Sequence, residues 1–107
     1  MKITNANNSV VIDMPNKINA IRLYDHDNAQ VIHMTIPAGE ALKPHITPVD
    51  VFFYVLEGTL DVLVGEETIA VGKDNLVESP KGIIHCLSNN SQSIARVLVV
   101  KAPKPTT

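Results

Sequence analysis

Two histidines far apart in the chain, His45 and His85, are the side chains best suited to chemistry. A neutral imidazole can ligate a transition metal or move a proton near neutral pH. His45 follows Gly39 and Pro44 at the head of a long apolar run, and His85 follows Pro80 and Gly82. Asp50 offers a carboxylate close to His45. His33 sits in the apolar segment 31–36, on the same face as Val31 and Thr35. Cys86 adjoins His85, so strand alternation turns the two to opposite faces, and the thiol reads as a small buried apolar group. His26 lies between Asp25 and Asp27 and reads as a solvated loop residue.

Short strands must position these groups. Segments 20–25, 31–36, 59–64, 68–71, 76–77, 83–88 and 94–101 are apolar or alternate with period two, and none holds a helical period over three turns. In 20–25 the alternation pairs Ile21 with Leu23 and Arg22 with Tyr24, and 25–28 reads as a hairpin turn. Residues 10–14 form a short apolar run closed by a Pro15-Asn16 turn signal. Glycine and proline recur between the segments, which predicts an all-β sandwich or barrel. In the central run, Val51, Phe53 and Val55 alternate with Phe52, Tyr54 and Leu56. Both sets are apolar, so the strand is expected to be covered on both faces. The second cover is either a homodimer partner or the segment 10–14.

The 107 residues make one domain, 1–107, with a core over about 20–101 and a flexible tail at 102–107. A chain of that length buries roughly 65% of its unfolded surface. A net charge of −2 without a lysine–arginine cluster argues against nucleic acid as a partner. The single cysteine rules out an intrachain disulfide and fits a reducing compartment. No apolar run is long enough for a signal core or a membrane helix, so the expectation is a cytoplasmic protein without a membrane partner.

Two motifs carry a resemblance. Gly39, His45 and Gly58 match the first motif of the cupins, which runs glycine, five residues, histidine, one residue, histidine, three or four residues, glutamate, six residues, glycine. Thr47 stands at the second histidine position and Val51 at the glutamate position. Pro80, Gly82, His85 and Asn89 match the second motif, with Asp74 at its leading glycine. The chain therefore resembles a small single-domain cupin of the RmlC-like type with a degenerate first motif. That implies a double-stranded β-helix, the jelly-roll barrel, with His45 and His85 directed into its mouth.

In metal-binding cupins the two motifs supply three histidines and a glutamate. Here only His45 and His85 remain as metal ligands, and Asp50 or His33 is the candidate third. The resemblance implies a divalent transition metal such as zinc, iron, nickel or manganese, and a dioxygenase, isomerase or decarboxylase acting on a small molecule. The alternative is a non-catalytic module that holds a small ligand without metal. A third reading is a metal-free enzyme using the histidines as acid and base. The expected pocket is His45, Thr47, Val51, Phe53, Val55, Val62 and His85.

Overall fold

The computed structural model describes residues 1–14 and 16–106. Pro15 of the expected turn and Thr107 of the tail lie outside the described residues. The chain forms β1 (Val10–Ile12), β2 (Asn19–His26), β3 (Ala29–Ile36), β4 (His45–Ile46), β5 (Asp50–Glu57), β6 (Thr59–Val64), β7 (Glu67–Gly72), β8 (Leu76–Ser79), β9 (Ile84–Ser88) and β10 (Ala95–Ala102). Every strand pairs antiparallel. One sheet has six strands in the order β1-β2-β3-β10-β5-β8, and the other has four in the order β4-β9-β6-β7. No helix long and apolar enough to cross a membrane occurs among the described residues.

The period-two pattern decides which residues fill the space between the sheets. On β5, Val51, Phe53 and Val55 are buried while Phe52, Tyr54 and Leu56 are half-buried. On β10, Ala95, Val97 and Val99 turn inward, and on β3 Ile32, Met34 and Ile36 do. Leu60, Val62 and Leu87 meet them from the smaller sheet. Burying these branched and aromatic side chains removes apolar surface from water at about 25 cal/mol per Å².

Alternation breaks at two bulges. On β2 the register shifts between Arg22 and Tyr24, so Leu23 has no partner on β3. Arg22 then pairs with Ile32, a core residue, and Ile21 pairs with His33. The simple face assignment for 20–25 fails beyond Leu23, because an extra residue reverses the faces. The second shift lies where Arg96 and Val97 pair with Glu57 and Val55. The 25–28 turn is also shorter than expected. Asp25 and His26 belong to β2, and the exposed His26 ring rests 4.3 Å from that of Tyr24.

The motif residues outside the histidines hold the turns. Gly58 has φ +77°, and a Cβ there would stand 2.5 Å from the Ile94 carbonyl oxygen. Asp74, at the family's leading glycine position, also takes a left-handed φ of 67°. Asp tolerates that region better than most residues, which explains how it replaces glycine. Asn89 is fully buried; its amide donates to the Ile36 and Ser93 carbonyls at 2.8 Å, and its Oδ1 accepts from the Ser91 backbone and hydroxyl. After β10, Lys104 reaches back to the β2–β3 turn, with its backbone N–H on Asp27 and its Nζ 2.8 Å from Asp25.

Candidate functional site

The histidine pair is assembled by the β4–β9 ladder, in which His45 lies directly opposite His85. Their rings meet edge-on with centroids 4.6 Å apart, and their Nε2 atoms are 3.3 Å apart. His85 is buried and His45 is exposed at the mouth. Phe53 packs edge-on against His85 from the larger sheet, 5.2 Å between centroids.

The hydrogen bonds fix a consistent set of tautomers. The Lys43 carbonyl, 3.2 Å from His45 Nδ1, can only accept, so Nδ1 carries the proton. Neutral His45 then presents a lone pair at Nε2. His85 Nε2 donates toward it and toward the Thr47 hydroxyl at 3.1 Å. That leaves His85 Nδ1 as acceptor for Ser79 Oγ at 2.8 Å. Burial pushes the His85 pKa down to about 4, with His45 and then Lys101 acting in the same direction. His85 is therefore uncharged at neutral pH.

The pair opens onto space. A small cavity of about 40 Å³ lies against His45, Phe53 and His85. A larger one of about 380 Å³ shares His45, Ile32, Met34, Leu42 and Lys101 with it. Thr47 is buried and bonded to His85, and Val51 is buried in the core beside the site. Val55 and Val62 lie in the core away from these two cavities.

Lys101 and Ser79 were not among the expected site residues. For Lys101 the signal was present: it continues the inward series Val97, Val99 on β10. Its pKa is lowered by burial and then by Arg22. Ser79 carried no comparable signal, because its role depends on β8 ending beside β5 at Val51.

Asp50 and His33 lie elsewhere, whereas Cys86 also borders the small cavity. Asp50 is exposed and accepts the Lys81 backbone N–H at 2.9 Å. His33 lies on the face of the large sheet opposite the core side chains of β3, and its Nε2 accepts from Arg96 Nη2 at 3.2 Å. Burial and Arg96 lower its pKa. Cys86 donates to the Leu42 carbonyl at 3.0 Å and is a free buried thiol.

Two imidazole nitrogens 3.3 Å apart suit a shared metal, since bonds of about 2.1 Å at near-tetrahedral angles require a similar separation. The Lys43 carbonyl and Ser79 hydroxyl would orient the two rings from behind. A third strong ligand does not converge: among the described residues no group of three His, Cys, Asp or Glu could hold a metal. The donor set does not fit a centre of three histidines and a glutamate.

The comparisons with known proteins agree with this architecture. The cupin domain model matches residues 32–101. TT1209 from Thermus thermophilus is 30% identical, with 98% of this chain and 100% of that chain covered and a TM-score of 0.85. The polyketide cyclase RemF from Streptomyces resistomycificus is 19% identical, with 100% and 82% covered and a TM-score of 0.86. A predicted oxalate decarboxylase from Thermotoga maritima is 14% identical, with 96% and 100% covered and a TM-score of 0.87. The last two likenesses bear on the fold alone. No curated protein matches the chain. The family model, which matches well over half of the chain, and the jelly-roll sheets establish that this chain belongs to the cupins.

Proposed function

We propose that the protein binds a small, largely apolar organic molecule in the barrel mouth, with the His45–His85 pair at the ligand's polar end. The observation that carries this reading is the continuity between the imidazole pair and the cavity of about 380 Å³ walled by Ile32, Met34 and Leu42. Apolar concavities with a few fixed polar groups are the usual form of small-molecule sites. The fold hosts many chemistries, so no reaction is carried over from the structural neighbours. A fragment library followed by amide proton–nitrogen NMR tests the reading. Binders are expected to shift β3, β4 and β9, and Met34→Trp, which fills the cavity, is expected to abolish those shifts. Binders that perturb only other surfaces overturn it.

The 3.3 Å separation of the two Nε2 atoms favours a second reading, a transition metal held by His45 and His85. With two protein ligands the metal is weakly held, and zinc, iron, nickel or manganese would exchange readily. Elemental analysis of the purified protein beside His45→Ala decides this. One metal per chain that is lost in the variant supports it, and equal metal content in both overturns it.

The outward face of β5 and β10 supports a homodimer as the state in solution. Phe52, Tyr54, Leu98 and Val100 stay half-buried there. β1 pairs at the far edge of the same sheet, beyond β2, β3 and β10, and leaves that face open. Leu98→Lys is expected to give monomers by light scattering, and an unchanged dimer would remove the idea. The single cysteine, Cys86, as a free buried thiol is consistent with the reducing cytoplasm.

A further inference from the structure

Lys101 enters the barrel beside the histidine pair without an acidic partner. Its cross-strand neighbours are Val51 on one side and Gln30 on the other. Among the described residues no carboxylate lies within ion-pair distance of it. It borders both the small and the large cavity. None of the described residues lining the large cavity is acidic, while Lys43, His45 and Lys101 all border it.

The half-buried Lys101 ammonium loses part of its hydration to apolar walls, and among the described residues no carboxylate pairs with it. Burial and the nearby Arg22 both weaken its hold on the proton, as expected for a cation lacking a counter-charge. An anionic ligand entering the cavity would supply the missing counter-charge. A single lysine balances one negative charge. A dianionic phosphate would bring a second charge into an apolar site whose other ammonium, Lys43, is exposed at the rim. The walls contributed by Ile32, Met34 and Leu42 call for a hydrocarbon body.

We propose that the ligand of this pocket is a monocarboxylate with an apolar body, its carboxylate paired with the Lys101 ammonium and its chain lying along Ile32, Met34 and Leu42. This rests on the pocket reading above and adds the ligand's charge and the residue that selects it.

The test is a titration of EDTA-stripped protein with straight-chain acids from butanoate to octanoate, each beside its primary amide, followed by amide proton–nitrogen NMR. Stripping the metal removes chelation as a source of acid preference. The expected result is an acid that binds at least about tenfold more tightly than its amide, the difference a charge-assisted hydrogen bond makes. Lys101→Met is expected to bring acid binding down to the level of amide binding, and Lys101→Arg to keep the preference. Acid and amide binding alike, or a preference that survives in Lys101→Met, overturns the carboxylate assignment and leaves the pocket standing. Acids and amides that shift only residues remote from β3, β4 and β10 overturn the pocket and the assignment together. Should Lys101→Met fold poorly, the comparison of acid with amide on the unaltered protein decides the matter.

Discussion

Val51 and Lys101 stand opposite each other across the β5–β10 ladder. Val51 occupies the position at which the cupin motif carries glutamate, so the ammonium beside it meets a hydrocarbon side chain where a carboxylate would otherwise lie. The loss of one charged residue from the motif and the unpaired charge in the barrel are one structural fact.

Val51→Glu supplies that missing carboxylate from within the chain. The introduced carboxylate would then pair with Lys101, and an acidic ligand would no longer find a free cation. The expected outcome is a loss of at least about tenfold in acid binding with amide binding retained. The titration used for Lys101 measures it, and undiminished acid binding would place the ligand's charge elsewhere.

Thr47 already points its hydroxyl at His85 Nε2, 3.1 Å away. Thr47→His would bring a third imidazole to the pair and restore the motif's second histidine. Zinc affinity is expected to rise by at least about tenfold, since even groups that only orient a ligand are worth that much. Competition with a chromophoric chelator reads the change. An unaltered affinity would show that the backbone at position 47 does not present the side chain as the motif requires.

Buried His85 makes stability depend on pH. Its pKa in the folded chain, about 4, lies below the ordinary histidine value of 6.5. As pH falls through that window the unfolded chain takes up the proton first, which favours unfolding. The contribution is therefore complete above pH 6.5 and is lost toward pH 4, up to about 3 kcal/mol in all. His33, lowered in the same direction, adds to the trend. Urea denaturation at several pH values should show a steeper acid loss for the unaltered protein than for His85→Gln. Parallel profiles would contradict the depressed pKa.

Gly58 is held by two constraints at once. Its φ of +77° disfavours any side chain, and the Ile94 carbonyl oxygen occupies the place of a Cβ at 2.5 Å. Gly58→Ala must shift the turn between β5 and β6 against backbone atoms. The expected cost is about 2–4 kcal/mol, beyond the usual loss at a surface turn. Gly39→Ala, with the same sign of φ but open space around it, should cost less. Denaturation midpoints of the two variants make the comparison.

The sequence alone determined the all-β class, most strand positions and the alternating sets of side chains on β3 and β5. Period-two alternation and the proline–glycine turns suffice for that, because each strand must bury one face. The spacing of Gly39, His45 and Gly58 and of Pro80, His85 and Asn89 also determined the family. Alternation does not say which distant strand becomes a neighbour. Only the tertiary structure set His45 opposite His85, laid Ser79 against the buried ring and put Lys101 beside Val51. It also left Asp50 bonded to the Lys81 backbone and His33 bonded to Arg96, away from the pair. The bulge at Leu23 reversed faces that local pattern had assigned, because one unpaired residue shifts the register of all that follow.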